Sequence, residues 1–329
     1  MDGQKQYVEN YNHMINNLVN SKTGEHKQLL KGYLSHLRDA FSISTKYSYL
    51  CAVNRFLNAT NKEAKEIRYE DYTDFLNDIA DKSSTFKIMT YAALKNFSEY
   101  LLASRRNMDN AMQYVKAPKT SQSKEKEKKE KRLNNVLYDD EIKKYIKNVE
   151  CGCGSNRAKA RQEKMKERDM CIVQLFLKTG MRCSALYKIN VSDVDLKNKT
   201  ITTLEKRDKL RTFPISDTTR IYIEDWLIKR AEILDGIEED ALFISNRKRR
   251  LDSSCIKDIT HKYGEGIKNI TPHKLRATFG TQLLDKTNGD LDKVRIAMGH
   301  NSVTTTELYM RRDETKVGRE IAELMETII

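Results

Sequence analysis

Thr271-Pro272-His273-Lys274-Leu275-Arg276, followed by Gly299-His300 and then by Tyr309, is the stretch on which the reading of this chain turns. Thr271 suits an N-cap and Pro272 the first position of a helix. A helix starting there sets His273 and Arg276, three residues apart, on one face. Both fall in the first turns, where free backbone N–H groups and the helix dipole favour an anion. Asp290 to Met298 reads as a further helix closed by Gly299, which leaves His300 just past its end. Thr304 and Glu307 are spaced as a capping box, so Tyr309 is expected on a short helix soon afterwards. Each residue is ordinary alone. In this order, with Met181-Arg182 upstream, they describe a site that holds a phosphate and attacks it.

Working outward, the apolar run Met170-Cys171-Ile172-Val173-Gln174-Leu175-Phe176-Leu177 leads into Thr179-Gly180, with Gly180 placed as a helix C-cap. Next comes an alternating stretch, Thr200 to Leu204, a polar turn Glu205-Lys206-Arg207-Asp208-Lys209, and a second alternating stretch, Leu210 to Ile215. That pattern reads as a β-hairpin. Tyr138-Asp139-Asp140-Glu141 looks like a helix start with acids in its first turn, and a polar insertion from Cys151 to Glu167 follows. Only three prolines and 13 glycines occur in 329 residues, which suits a helix-rich fold. The expected class is mainly α with a small β-sheet, in two domains.

The first domain is expected from about Leu29 to Ala117, after a polar leader of residues 1–28. Apolar stripes recur at helical spacing: Tyr47, Tyr49-Leu50, Val53 and Phe56-Leu57; then Tyr72, Phe75-Leu76 and Ile79; then Ile88, Tyr91, Leu94, Phe97 and Tyr100-Leu101. Those aromatics are expected to be core packing of a helical bundle. The hydrophobic pattern stops between Pro118 and Val136, where Lys124 to Arg132 carries six bases and three acids; a basic linker is expected there. The second domain then runs from Leu137 to about Arg312, and residues 313–329 form a tail whose Val317, Ile321, Leu324-Met325 and Ile328 make an apolar stripe.

Lysine and arginine number 60 against 47 acidic residues, a net charge of +13. An excess of that size favours a polyanionic partner, because each neutralised phosphate releases counterions. The six cysteines show no disulfide-like spacing, and Cys151-Gly152-Cys153 lacks the paired ligands of a zinc site. Reduced thiols and a cytoplasmic setting are expected. No signal peptide or membrane-length apolar run is present, so no membrane partner is expected.

Taken together, these motifs resemble the tyrosine recombinases, or phage integrases. The family's Thr-Gly-Leu/Met-Arg box is Thr179-Gly180-Met181-Arg182; its hairpin-turn lysine is Lys206, with Arg211 and Pro214 continuing the pattern. Its His-x-x-Arg is His273-Lys274-Leu275-Arg276, its Leu/Met-Gly-His is Met298-Gly299-His300, and its nucleophile is Tyr309. The resemblance implies a helical core-binding domain that clasps DNA and an α+β catalytic domain. It also implies catalytic roles for Arg182, Lys206, His273, Arg276, His300 and Tyr309, and a 3′-phosphotyrosyl intermediate formed with no metal, ATP or other cofactor. The partners it implies are double-stranded DNA target sites and a homo-tetramer on two paired sites, at the nucleoid, with room for an accessory DNA-bending or directionality protein. In relatives a tail like 313–329 is exchanged between protomers.

One position departs from the family. Ser184-Ala185-Leu186 stands where Ser-Glu-Leu is usual, so either the tuning of the site is altered or a carboxylate elsewhere substitutes. Under the resemblance, the basic loop Arg247-Lys248-Arg249-Arg250 is expected to touch the DNA backbone. Two rival readings stay open from the sequence: a type IB-like DNA topoisomerase, and a DNA-binding protein without catalysis on the same fold.

Overall fold

The apolar run that ends at Thr179 becomes the central helix of the larger of two compact units. The computed structural model describes residues 2–118, 135–205 and 210–299, and the chain divides at Ser123/Lys124. Among the described residues no helix is long and apolar enough to cross a membrane.

The smaller unit is helical: α1 (Asp2–Asn20), α2 (Gly24–Leu37), α3 (Ile43–Thr60), α4 (Tyr69–Asp78) and α5 (Ser84–Ala103). Ser42 and Ser83 cap α3 and α5 by accepting the N–H of Thr45 and Phe86, satisfying donors a helix start leaves free. The expected stripes form the core, with Leu50, Val53, Phe56 and Leu57 of α3 against Leu94, Phe97 and Leu101 of α5. Phe56 stacks on Tyr72 at 4.7 Å between ring centroids, and the Tyr33 hydroxyl donates to the Ala93 carbonyl at 3.1 Å. Burying one such side chain contributes about 1.5–3 kcal/mol. Two details differ from the sequence reading. The polar leader is part of this unit, since Ile15 and Val19 of α1 lie in its core, and Ile88 stays 40 % exposed.

In the larger unit, α6 (Asp139–Cys151), α7 (Asn156–Glu163) and α8 (Lys166–Thr179) lead to the short helix α9 (Cys183–Leu186). Every residue of α8 from Arg168 to Leu177 is buried, as expected of a helix packed on all sides. Helices α6, α10 (Asp217–Leu234) and α12 (Pro272–Lys286) surround it. Its buried Asp169 is well partnered, accepting from Arg168 at 2.8–2.9 Å, from Lys262 at 2.6 Å and from the Tyr263 hydroxyl at 2.8 Å. The polar insertion after Cys151 holds α7, which buries none of its side chains.

The expected hairpin is present as β2 (Thr200–Leu204) and β3 (Leu210–Pro214), antiparallel with Thr202 opposite Thr212. A two-residue strand, β1 (Val194–Asp195), adds to the β2 edge and completes the sheet order β1-β2-β3. Helix α11 (Ser253–Lys262) precedes α12, and α13 (Leu291–Met298) follows it. The Thr271 hydroxyl caps α12 by accepting from the Lys274 N–H at 3.2 Å, with Pro272 in the first turn. Asp290 caps α13, and Gly299 ends it in the left-handed region at φ +61°. Of the linker expected at 118–136, residues 119–134 lie outside the described residues, as does the tail at 313–329.

Candidate active site

Three arginine side chains converge on the C-terminal end of α13. A helix end leaves its last carbonyls without intrahelical partners, and the dipole makes that end attractive to cations. Arg211 of β3 donates to Ile296 O at 3.0 Å and Ala297 O at 2.6 Å. Arg276 of α12 donates to Met298 O at 2.6 Å and also to Gly180 O, the carbonyl at the end of α8. Arg182, just beyond that end, donates to Gly299 O at 3.3 Å. Carbonyls 296 to 299 are therefore held in sequence by three guanidinium groups.

Two glycines sit where a side chain has no room, and the one at 299 is what admits Arg211. A Cβ at Gly299 would meet Arg211 Nη1 at 1.9 Å, and one at Gly180 would meet the Phe279 ring at 2.3 Å. Both residues also sit at positive φ, +61° and +60°, a conformation other L-residues adopt at a cost.

Glu205, just past the end of β2, completes the cluster. Its Oε2 accepts from Arg182 Nη1 at 2.6 Å, and its Oε1 lies 3.5 Å from Arg211 Nη1. The Glu205 carboxylate is buried, whereas the Arg182 side chain remains 34 % exposed. Arg211 also lies over the Phe213 ring at 4.4 Å. Burial pushes the Arg211 pKa down, with Glu205 opposing that shift and Arg182 adding to it.

His273 and Arg276 rise from the first turns of α12, as the sequence pattern requires. Arg276 is only 5 % exposed, whereas the His273 side chain reaches solvent. Partial desolvation, and second the Arg276 charge, hold His273 below the ordinary histidine pKa. The neutral imidazole therefore predominates at pH 7, able to accept a proton. A partly exposed guanidinium, Arg182, and a neutral imidazole, His273, are groups of the kind that bind a tetrahedral anion and accept its nucleophile's proton. Lys206, His300 and Tyr309 lie outside the described residues; in the chain they follow Glu205, Gly299 and the α13 segment.

The basic loop needs one correction. Arg247 and Arg249 are exposed, and Lys248 is half-buried with its ammonium on Leu234 O at 3.2 Å. Arg250 points inward. It pairs with Ile244 in an isolated β-bridge, and its guanidinium serves Tyr187 O, Ile189 O and Asn190 Oδ1. A side chain committed to those acceptors is not placed for a DNA phosphate. The run of four bases in sequence hides the alternation that a bridge imposes.

Glu205 is the site residue the sequence reading missed, because it looked like the first residue of a charged turn. The strand alternation holds the signal. Ile201, Thr203 and Glu205 are the buried positions of the stretch from 200 to 205, so Glu205 continues the inner face of β2.

One helical unit, and one α+β unit whose helix ends and hairpin gather guanidinium groups, are the two parts of the tyrosine-recombinase class of fold. The chain belongs to the phage integrase family, which matches residues 135–316. It is 29 % identical to tyrosine recombinase XerS of Streptococcus thermophilus (strain CNRZ 1066), over 92 % of this chain and 98 % of that protein. It is 28 % identical to XerS of Streptococcus pyogenes serotype M1, over 88 % of this chain and 93 % of that protein. Among solved structures it shares the fold of the XerH site-specific recombinase bound to difH substrate (TM-score 0.67, 20 % identity, 95 % and 88 % of the two chains). It also shares the fold of a lambda integrase dimer bound to a core site (TM-score 0.62, 16 % identity, 87 % and 95 %).

Proposed function

We propose that this protein is a site-specific DNA recombinase that cleaves and rejoins DNA through a 3′-phosphotyrosyl intermediate at Tyr309. The observation that carries the reading is the placing of Arg182 and Arg276 on the adjacent carbonyls of Gly299 and Met298, in a chain of the phage integrase family.

A phosphodiester repels nucleophiles by its own charge. In the proposed reaction Arg182 and Arg276 stabilise the non-bridging oxygens as negative charge builds on the pentacoordinate transition state. The Tyr309 oxygen attacks phosphorus while its proton passes to His273, whose lowered pKa keeps it free to accept. The P–O5′ bond breaks, and the leaving oxygen takes a proton from Lys206. His300 orients the phosphate. The tyrosyl ester conserves the bond energy, so the 5′ hydroxyl of a second strand can attack it and release Tyr309. That exchange calls for paired sites, which a homo-tetramer supplies; the tail at 313–329 is proposed to link its protomers. The smaller unit is proposed to clasp the duplex, with Arg247 and Arg249 touching the backbone from the larger one.

The test is a pooled library of nicked duplexes in buffer with EDTA. A nick lets the cleaved fragment escape, so a covalent adduct accumulates. The expected result is an SDS-resistant protein–DNA adduct that Tyr309→Phe abolishes, with one sequence enriched in the trapped DNA. Adduct formation and supercoil relaxation with no enriched sequence would instead mark a topoisomerase. Retention of DNA with no adduct would mark a binding protein.

A further inference from the structure

We propose that Glu205 is a positioning residue for Arg182, supplying from β2 the carboxylate that Ala185 cannot supply from α9. This rests on the recombinase reading above. Ala185 is fully buried, and its carbonyl accepts from the Thr203 hydroxyl at 3.0 Å. Strand β2 thus passes directly against the residue where the family's acid is usual. Two residues further along, on the same inner face, the Glu205 carboxylate closes on Arg182 at 2.6 Å. The strand delivers a carboxylate to the arginine that the short helix would otherwise serve.

The geometry fixes both ends of Arg182. Nη1 is held by Glu205 and Nη2 by Gly299 O, so the planar fork has one orientation, with the side chain still partly open to solvent. The other oxygen of Glu205 and Arg211 Nη1 face each other at 3.5 Å, each buried and without a hydrogen bond among the described residues. One carboxylate thereby separates two guanidinium groups that repel each other. Without it, Arg182 and Arg211 would be partly desolvated like charges, a state that disfavours both. With it, Arg182 is oriented before a phosphate arrives, and Arg211 stays on the end of α13.

The test compares Glu205→Ala, Glu205→Gln and the relocated pair Glu205→Ala/Ala185→Glu with the parent protein. Single-turnover adduct formation is measured on a nicked duplex recovered from the pool, alongside the affinity for that duplex. Removing a group that orients another costs on the order of 10–100-fold. Glu205→Ala is expected to slow adduct formation by about that factor with DNA affinity within about threefold. Glu205→Gln keeps the shape but loses the charge, and is expected to fall between. The relocated pair is expected to recover about tenfold over Glu205→Ala. A rescue of this kind cannot arise from a general loss of folding. A parent-like rate in Glu205→Ala, or no recovery in the relocated pair, overturns the proposal.

A DNA-free arm separates this claim from the recombinase reading. Inorganic phosphate should protect Arg182 from phenylglyoxal, read by mass spectrometry, in the parent and the relocated pair but not in Glu205→Ala. If the parent forms no adduct while this protection follows the carboxylate, the DNA chemistry fails and the positioning role stands. Equal protection in all variants overturns it.

Discussion

Arg276 and Arg182 come from different helix ends yet donate to neighbouring carbonyls, Met298 O at 2.6 Å and Gly299 O at 3.3 Å. The end of α13 is thus a template that sets the spacing of the two groups proposed to grip one phosphate. Anything that displaces this end displaces both.

Gly299→Ala tests that dependence. The new methyl would sit 1.9 Å from Arg211 Nη1, at a backbone φ of +61°. The backbone alone costs about 1–2 kcal/mol, a Tm loss of about 2–8 °C for a unit of this size. Adduct formation is expected to fall by more than about tenfold, since a small displacement of positioned groups has large kinetic effects. Calorimetry and the adduct assay together check this; an unchanged rate would show that the α13 end does not set the site.

The basic loop predicts two different phenotypes from adjacent residues. Arg247→Ala removes an exposed charge, so the slope of log affinity against log salt should shrink by about 0.9, with Tm unchanged. Arg250→Ala removes the guanidinium from Tyr187 O and Asn190 Oδ1, while Ile189 O keeps the Leu242 N–H at 2.9 Å; a buried acceptor left unsatisfied costs about 1–3 kcal/mol. This substitution should lower Tm and leave the salt slope alone. Salt titrations of DNA binding beside thermal unfolding decide between these outcomes.

His273 has its pKa lowered by desolvation first and by Arg276 second. A general base works in its neutral form, so adduct formation should be flat around pH 7 and fall only as pH drops below the ordinary histidine value of about 6.5. In Arg276→Gln the second cause is gone while burial remains. NMR titration of His273 should then show its pKa move upward and stay below the ordinary value. A pKa unmoved by that substitution would contradict the electrostatic part of the account.

Asp169 is buried and joins Arg168, Lys262 and Tyr263. Removing one member of such a cluster leaves uncompensated charge, so Asp169→Ala should cost about 3–5 kcal/mol. Urea unfolding measures it, and a loss under about 1 kcal/mol would mean that water replaces the carboxylate.

Much of this was legible in the chain because local rules and tertiary packing agree. Thr271-Pro272 and Asp290 start helices where they should, and Gly180 and Gly299 end them. The helical stripes and the hairpin follow their periods. What stayed hidden depends on contacts distant in sequence. β1 is two residues long and exists only as an addition to the edge of β2. The leader reads as polar because, among its residues 8–28, only Ile15 and Val19 are buried. Arg250 and Glu205 look like surface charge until strand pairing turns them inward. The partnership of Glu205 with Arg182 spans the turn from α9 into the sheet, and no period in the sequence records it.

Strand exchange through Tyr309 can be followed by mixing two differently labelled duplexes that carry the recovered site. Recombinant duplexes joining one label to the other should form in EDTA with the parent protein and be absent with Tyr309→Phe. Mass spectrometry of the trapped intermediate should find the nucleotide on the peptide containing Tyr309. Exchange that survives Tyr309→Phe, or cleavage that always restores the original duplexes without exchange, would contradict strand exchange through Tyr309.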